Sequence, residues 1–457
     1  MASITPRPKK DGSISYLITV SLGRDAEGNK IKQTTTFVPK SKAPTKARKE
    51  AEAYSVIFED QVKNGDIVSG DRITFQEFVE VWKDNWLTAK TAAVRENYYS
   101  VLKTRVIPKI GNLKITKIRA THIDKIIKDE TAEGKAPATV HMTFTVTNSV
   151  FKYAVRKQYI RENPCLRCDE LPAINAKSGN EISFFTMDQA RRFLKDALTR
   201  DYDIRISGHK RRLKKTGKEY TVPDYTTTHS IPLQWRVYFE LAIKGTFRRG
   251  EECALTWRDI DFSKQTISVK KALSSTKADG QFVKDPKTSA GIREIVIPSD
   301  CIALLKRWKK EQRALCLKMG TAWKGHRDKI ENGQQTDSFE DNTVFIRLDC
   351  GLPLHLSTPG HKFAEIIELY NAAIEKEAEE MSDKAGKRKK LAERLPKIRL
   401  HDLRHTGATL LLGQNTDIET VSRRLGHSKA SVTLDIYGHA LPENDKQASD
   451  ALEAMFI

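Results

Sequence analysis

The sequence has no long apolar segment: nowhere do about 18 uncharged apolar residues follow one another, so no segment is predicted to span a bilayer. The N-terminus, MASITPRPKKDGS, lacks the apolar stretch of a secretory signal. Only 6 of the 457 residues are cysteine, and their irregular spacing fits a reducing cytosol without a disulfide framework. No GxxxxGK[ST] motif and no carboxylate cluster at metal-ligand spacing occurs, so neither a nucleotide nor a metal cofactor is expected. The sequence therefore disfavours the classes of membrane, secreted and fibrous proteins.

Positive charge is what the chain has in excess. Lys and Arg number 79 against 59 Asp and Glu, which gives a net charge of +20, and the isoelectric point is about 9.5. This excess indicates a polyanionic partner, most simply nucleic acid. A basic enzyme whose charge serves only solubility is the alternative. With 39% apolar residues the chain is too hydrophobic to be disordered.

The pattern predicts a multidomain α+β protein with three domains, at 1–65, 70–165 and 180–457. In the first, residues 1–49 hold 11 Lys and Arg but only 3 acidic residues. Short β-branched segments, an acidic Gly-containing turn and a helical pattern from Pro44 predict a small three-stranded sheet with one helix. Its exposed face could lie in a DNA groove, or it could be a solvated cap.

The second domain is predicted to be all-α. Thr74 and Glu77 form a capping box, and an i, i+3, i+4, i+7 apolar pattern follows them. Further helices are predicted at roughly 91–105, 121–129 and 137–158, with a break at 106–111 between the first two.

The third domain is predicted to be mixed and mainly α, with a small β-sheet. Its β-rich segments are expected at 256–262, 266–272 and 292–297. Residues 207–229, very basic and turn-rich, and 372–394, charged and helical, are predicted as surface insertions.

Basic and nucleophilic residues cluster in short motifs of the third domain. Gly245-Thr-Phe-Arg-Arg-Gly-Glu251 ends one helix and opens another, and Lys284-Asp-Pro-Lys287 lies between two β-segments. Leu400-His401-Asp-Leu-Arg404-His405 opens a helix, on which His401 and Arg404 share a face. Leu-Gly-His427-Ser follows, and Tyr437 comes ten residues after that histidine.

These residue types together suit phosphodiester chemistry. Two arginines can hold both non-bridging oxygens of a phosphate, and histidines can donate hydrogen bonds or move protons near neutral pH. A lysine can protonate a leaving oxygen, and a tyrosine can be a covalent nucleophile. Positive side chains would take the place of Mg²⁺ in stabilising the transition state.

The motifs resemble those of the tyrosine recombinase (phage integrase) family, over nearly the whole chain. HDLRHT, LGHS and a tyrosine ten residues after the histidine are very specific in that order, whereas GTFRRGE is moderately specific. The resemblance implies an arm-site-binding sheet domain, a SAM-like core-binding domain and a catalytic domain. It also implies a 3′-phosphotyrosine intermediate and strand exchange through a Holliday junction.

The resemblance also implies a role for each site residue. Arg248 and Arg404 would hold the scissile phosphate, and His427 would hydrogen-bond it. His401 would help accept the tyrosine proton, and Lys287 would be the general acid for the 5′-hydroxyl. Tyr437 would be the nucleophile, and Glu251 would orient its neighbours.

Some assignments have alternatives. The family usually has Thr-Gly-hydrophobic-Arg where this chain has Gly245-Thr246-Phe247-Arg248, and Arg249 is a rival for the arginine. Lys284 is a rival for Lys287. His405 and His439 are expected to be structural or near DNA. Tyr437 could be a core aromatic, but Gly438 after it favours a position exposed at a turn. The pair Cys165 and Cys168 is expected to be ordinary thiols rather than a zinc site.

The expected partners are double-stranded DNA at core and arm attachment sites, three further copies in a tetramer, an excisionase and DNA-bending proteins. No cofactor, metal or membrane is expected, and the location would be the cytoplasm of a bacterial host, at the nucleoid. The apolar segment 440–457 is expected to dock on a neighbouring protomer. Integration and excision of a mobile element is the favoured function. A dimer resolvase or a non-catalytic DNA-binding regulator are the alternatives, and a type IB topoisomerase is disfavoured.

Overall fold

A computed structural model gives the structure. It describes residues 2–8, 14–24, 28, 30–41, 43–63, 73–173, 183–212, 219–285, 291–331, 334–438, 453 and 455. The chain divides into two compact units, Met1–Asn175 and Ala176–Ile457.

The first unit begins with the predicted three-stranded sheet and helix. The strands are antiparallel in the order β1-β2-β3, and they are followed by a helix. Alternate residues of β2, Tyr16, Ile18 and Val20, are buried on one face of the sheet, where Phe58 and Val62 of the helix pack. The elements are β1 (Ser3–Pro8), β2 (Ile14–Arg24), β3 (Lys30–Phe37) and α1 (Pro44–Lys63).

The rest of this unit is helical, as predicted. Thr74 and Glu77 form the expected capping box: the Glu77 N–H donates to Thr74 Oγ1 at 3.3 Å, and the Thr74 N–H donates to Glu77 Oε2 at 2.8 Å. The apolar face that follows is fully buried, Trp82 included. The helices are α2 (Phe75–Asn85), α3 (Ala92–Val101), α4 (Ile107–Ile110), α5 (Ala120–Ala132) and α6 (Pro137–Arg156).

The predicted break at 106–111 is wrong, because the chain stays helical there. A π-helical turn, Leu102–Val106, joins α3 to α4. Pro108 follows this π-helical turn, the kind of irregularity at which a helix accommodates a proline.

The second unit is mainly helical. Its core is aromatic: the ring centroids of Phe193 and Phe363 lie 5.3 Å apart in an edge-to-face arrangement, and Phe239 packs against both. The helices are α7 (Met187–Arg192), α8 (Leu233–Lys244), α9 (Arg249–Cys253), α10 (Ser299–Met319), α11 (Thr358–Glu379), α12 (Lys384–Leu391), α13 (Asp402–Gly413), α14 (Ile418–Leu425) and α15 (Ala430–Tyr437).

Small antiparallel sheets complete this unit. One has three strands in the order β12-β9-β8, and the others pair β4 with β7, β5 with β6, β10 with β11 and β13 with β14. The strands are β4 (Asp201–Ile206), β5 (His209–Arg212), β6 (Glu219–Val222), β7 (Tyr225–Ser230), β8 (Ile260–Asp261), β9 (Thr266–Val269), β10 (Ala272–Thr276), β11 (Gly280–Lys284), β12 (Arg293–Val296), β13 (Lys329–Glu331) and β14 (Gln334–Asp337). The mixed, multidomain α+β fold is thus confirmed.

Details of the second unit differ from the prediction. Thr256 begins a capped 3₁₀ turn, Trp257–Asp259, so the predicted strand is reduced to β8. The basic insertion is not merely turns, since β4 and β7 are hydrogen-bonded as a ribbon that β5 and β6 extend. The charged segment 372–394 is helical as predicted, within α11 and α12, and it buries Ile374 and Ala378.

In the described ranges, no helix is both long and apolar enough to cross a bilayer.

Candidate active site

Arg248 begins helix α9 and is held there by Glu251. The carboxylate accepts the Arg248 backbone N–H at 3.0 Å and its Nη1–H at 2.8 Å, while Nη2 donates to the Gly426 carbonyl at 3.0 Å. The Arg248 side chain is 39% exposed, so part of the guanidinium can meet a ligand. The sequence-based role of Glu251 as an orienting residue agrees with these contacts.

The turn before Arg248 has an unusual backbone. Thr246 has φ of +53°, a left-handed conformation that β-branched residues rarely adopt. Its carbonyl accepts a hydrogen bond from Arg404 Nη1 at 2.7 Å. This turn therefore joins the two arginines that were predicted to bind the phosphate.

Arg404 lies in α13 and is only 3% exposed. Besides Thr246, its guanidinium donates to the Leu425 carbonyl at 2.6 Å and contacts His427 Nε2 at 3.2 Å, both through Nη2. Burial, and then the positive charge of Arg248, lowers the pKa of Arg404 to about 9. The side chain still carries its charge at neutral pH.

His427 follows the C-terminus of α14. Gly426 ends this helix in the left-handed conformation, with φ of +66°, which suits glycine and turns the next residue toward Arg404. His427 Nδ1 lies 2.9 Å from the hydroxyl of buried Thr433. Burial, followed by the charges of Arg404 and Arg248, lowers the pKa of His427 to about 4, so the ring is neutral and Nε2 accepts from Arg404.

Tyr437 is buried, which contradicts the prediction of an exposed position. It is the last residue of α15, is 1% exposed, and packs with Leu412 and Val421 in a small apolar cluster. Burial raises the pKa of Tyr437 to about 12, although Arg404 and Arg248 act in the opposite direction. Gly438 is a local turn signal, but helix α15 directs the tyrosine before it into the apolar cluster.

The histidine in contact with Tyr437 is His405, not His401. His405 Nδ1 lies 2.7 Å from the Tyr437 hydroxyl. Burial, and then the positive charge of His401, lowers the pKa of His405 to about 4, so a neutral ring accepts the tyrosine proton in a hydrogen bond. His401 is exposed at the start of α13 and stacks edge-on against His405, with ring centroids 5.0 Å apart. His405 thus has a structural contact with the predicted nucleophile, which is compatible with the expectation that it is structural.

The two candidate lysines lie near the end of β11 in the sequence. Lys287 and His439 lie outside the described residues. Lys284, the rival, ends β11 and donates to Ser274 Oγ at 3.3 Å.

Some of the predicted residues line one cleft of about 970 Å³. Arg248, Lys284, His401 and His427 line it, together with Arg249 and Glu251. Arg404 lies behind His427, to which it is hydrogen-bonded. The cleft thus offers several cationic or neutral donors to one anion, which is the requirement for binding a phosphodiester.

Two functional contacts were missed from the sequence. Arg293, at the start of β12, binds both oxygens of Glu251 through Nη1 at 3.2 Å and Nη2 at 2.8 Å. His405 was named but not linked to the tyrosine. Both residues are visible in the sequence, one as an arginine after the lysine segment and the other as the second histidine of HDLRHT. The sequence does not reveal which atoms they contact.

Candidate metal ligands are otherwise accounted for. Within the described part of the chain, Glu240, Asp300 and Cys301 form the one group of possible ligands, and Lys244 Nζ occupies it at 2.6 Å from Glu240 and 2.5 Å from Asp300. Burial raises the pKa of both thiols of the CxxC pair, to about 12 for Cys168, and they remain free thiols. The group around Lys244 is therefore an ion-pair cluster.

Comparison with known proteins identifies the family. The model of the phage integrase family matches residues 219–444, and that of the phage integrase central domain matches residues 74–170. The chain belongs to the phage integrase family of tyrosine recombinases. The predicted family and enzyme class, a tyrosine-type site-specific recombinase, are confirmed.

Relatives and solved structures agree with the membership of the integrase family. A protein named tyrosine recombinase XerC-like, from Caldanaerobacter subterraneus subsp. tengcongensis, is 25% identical over 98% of both chains. The ICEBs1 integrase of Bacillus subtilis is 27% identical, over 79% of this chain and 78% of its own. The integrase of the Tn1549 transposon, solved in complex with transposon right end DNA, shares the fold with a TM-score of 0.56 and 19% identity, over 83% of this chain and all of that one.

Proposed function

We propose that this integrase cuts and rejoins DNA through a 3′-phosphotyrosine on Tyr437. The Tyr437 hydroxyl gives up its proton with His401 helping to accept it, its oxygen attacks the scissile phosphorus, the bond to the 5′-oxygen breaks, and that oxygen leaves with a proton from Lys287. Rejoining is the reverse, with a 5′-hydroxyl of another strand as the attacking group. The bond energy is kept in the phosphotyrosine, so no nucleotide is needed.

The observation that carries this proposal is the arrangement of Arg248, Arg404 and His427. Arg248 lines the cleft, Arg404 contacts His427 Nε2 at 3.2 Å, and His427 lines the same cleft. Two fixed guanidinium groups would neutralise the charge that develops on the phosphate oxygens. To donate to the same phosphate, His427 would carry its proton on Nε2 instead of accepting there from Arg404, and His401, which lines the cleft, would help accept the tyrosine proton.

Tyr437 in its buried position would not reach DNA in the cleft, since only 1% of it is exposed. We expect that the tyrosine is stored protonated against His405 and is released when DNA and neighbouring protomers bind. Segment 440–457 follows it directly and would dock on a neighbouring protomer. Release of the tyrosine would then be coupled to assembly, which would limit cleavage to complete complexes.

The decisive experiment is Tyr437→Phe on a nicked suicide substrate made from the joined ends of the element. The variant should bind this DNA but form no covalent adduct, whereas Tyr225→Phe, a change at an exposed tyrosine of the same unit, should form it at the normal rate. An adduct with Tyr437→Phe would assign the nucleophile elsewhere. Binding without an adduct by the unaltered protein would favour the regulator.

The N-terminal sheet is proposed to bind arm-type DNA sites. Residues opposite one another on neighbouring strands share a face, so the register gives the composition of the face that α1 leaves uncovered. It is rich in hydroxyls and carries basic residues, which suits contacts to phosphate oxygens. This face comprises Ser3, Thr5, Arg7, Leu17, Thr19, Ser21, Lys32, Thr34 and Thr36.

Removing residues 1–63 tests the arm-binding role. We expect cleavage of core-site DNA to be unchanged and integration between complete attachment sites to be lost. A matched full-length variant, Arg7→Gln with Lys32→Gln, should weaken arm-site binding and reduce its dependence on salt. Equal integration by the truncated and complete proteins would contradict the role.

The working form is proposed to be a tetramer that exchanges strands through a Holliday junction, at core and arm sites, in the cytoplasm and at the nucleoid of a bacterial host. An excisionase and DNA-bending proteins would direct excision. Dimer resolution by the same chemistry is the alternative. An attachment site and an excisionase gene beside the gene for this chain would favour integration.

A further inference from the structure

Three arginines converge on the C-terminal end of helix α14. Its last carbonyls accept hydrogen bonds from outside the helix: Arg293 Nε donates to Arg424 O at 2.8 Å, Arg404 Nη2 to Leu425 O at 2.6 Å, and Arg248 Nη2 to Gly426 O at 3.0 Å. Carbonyls at the end of a helix have no intrahelical partner and carry partial negative charge. The helix end therefore holds three guanidinium groups that would otherwise repel one another.

Arg293 differs from the other two arginines because its donors are already engaged. Its side chain is 7% exposed. Besides the Arg424 carbonyl it binds Glu251 through both Nη atoms, and Nη1 also donates to Gly291 O at 3.1 Å. Four of the five donors of a guanidinium are thus in use, so Arg293 is poorly suited to bind the phosphate itself.

Glu251 links Arg293 to the catalytic arginine. One carboxylate accepts from both Nη atoms of Arg293 and from the backbone and Nη1 of Arg248. Burial raises the pKa of Glu251, but the hydrogen bonds and charges of Arg293 and then Arg248 outweigh this and keep it below its usual range. Arg293 therefore keeps a buried carboxylate ionised and oriented toward Arg248.

We propose that Arg293 is a positioning residue that fixes Arg248 and the end of α14 relative to each other. Through Glu251 it sets the guanidinium of Arg248, and through the Arg424 carbonyl it sets the helix end that precedes His427. Arg248 and His427 would then both contact the same phosphate. The inference rests on the proposed function, because the phosphate is that of the DNA strand which Tyr437 cleaves.

Arg293→Lys is the sharpest test of this role. Lysine keeps the charge, but its single nitrogen cannot bridge Glu251 and the Arg424 carbonyl in the way the planar guanidinium does. On the nicked suicide substrate at saturating protein, we expect adduct formation to slow roughly 10–100-fold, because small misplacements of catalytic groups have effects of this size. Affinity for the same DNA should stay within about threefold, since many phosphate contacts contribute to it.

Arg200→Lys is the matched control. Arg200 is also partly buried, at 22% exposure, and its guanidinium bridges two carboxylates, Asp196 and Glu377. That variant should lose thermal stability as Arg293→Lys does, yet form the adduct within about threefold of the normal rate. Both variants are assayed well below their melting temperatures, so that a loss of folded protein does not enter the rate.

A double variant separates positioning from general stabilisation. If Arg293 acts through Glu251, its substitution matters little once Glu251 is changed. The double variant, Arg293→Lys with Glu251→Gln, should then form the adduct less than about threefold more slowly than Glu251→Gln alone. Multiplied losses in the double variant, or normal adduct formation by Arg293→Lys, would overturn the inference. Failure of the unaltered protein to form any adduct would instead refute the proposed function, so the two failures are distinct.

Discussion

Thr246→Gly should stabilise the protein, because Thr246 combines two unfavourable features. Its φ of +53° is a left-handed conformation in which a β-branched residue is strained. Its side chain is 1% exposed, and its hydroxyl has no hydrogen-bond partner among the described residues. The family usually has Thr-Gly here, with glycine at the second position, whereas this chain has Gly245-Thr246.

The expected gain follows from four contributions. Relief of the strained backbone contributes about 1–3 kcal/mol, and removal of the unpaired buried hydroxyl about 1–3 kcal/mol. Loss of two buried carbon groups, Cβ and its methyl, costs about 1.6 kcal/mol at about 0.8 kcal/mol each, and the flexibility of glycine in the unfolded chain costs about 0.5–1 kcal/mol. At the middle of these ranges the net stabilisation is about 1–2 kcal/mol, which corresponds to about 2–4 °C in Tm for each kcal/mol in a unit of this size.

Thermal unfolding, followed by calorimetry, measures this gain. Thr246→Ala is the control, because it removes the hydroxyl but keeps a Cβ at the left-handed position, and it should gain less than the glycine variant. Adduct formation should not fall in Thr246→Gly, since Arg404 Nη1 binds the backbone carbonyl of this residue and not its side chain. A Tm for Thr246→Gly at or below that of Thr246→Ala would refute the argument about strain.

The remaining predictions concern the histidines and metal ions. His405→Ala leaves the buried Tyr437 hydroxyl without its partner and should lower the free energy of unfolding in urea by about 1–3 kcal/mol. His401→Ala, at an exposed position, should lower it by about 0.5 kcal/mol or less but slow cleavage. Equal losses of stability would contradict the contact between His405 and Tyr437. Burial, with nearby positive charge, lowers the pKa of His405 and of His427 to about 4. The free energy of unfolding should therefore be highest above a pH of about 6.5 and fall as the pH drops to about 4, because the unfolded chain binds more protons in that range. The double variant His405→Gln with His427→Gln should show a weaker dependence of stability on pH, and an unchanged dependence would argue against buried neutral rings. Cleavage should continue in EDTA without nucleotide, and a strict requirement for Mg²⁺ in gel assays of the adduct would contradict the cationic site.

Local patterns of the sequence were sufficient for most elements. The capping box at Thr74 and the apolar spacing after it predicted α2, and β-branched alternation predicted the sheet of the first unit. These signals are local, because a cap or an amphipathic face depends on residues within a few positions of one another. Prediction failed at Pro108 and at Thr256, where a proline in a first helical turn and a capped 3₁₀ turn have ambiguous local patterns.

The sequence placed several residues at the cleft but did not predict their contacts. Arg248, His401, His427 and the rival lysine Lys284 do line one cleft, although they are far apart in the chain. Order and spacing of the motifs could identify them, because these properties belong to the chain itself. Which histidine meets the tyrosine could not be identified, since it depends on how α15 packs against α13.

The sequence by itself determined the family and the chemistry, and it predicted a set of residues to carry that chemistry, because each depends on residue types at fixed spacing. Tertiary structure alone decided that Tyr437 is buried against His405, that Arg293 binds Glu251, and that the end of α14 gathers three arginines. These contacts join residues up to 178 positions apart, as Arg248 and Gly426 are. No short-range pattern encodes them, because they arise only when separate helices and strands pack together.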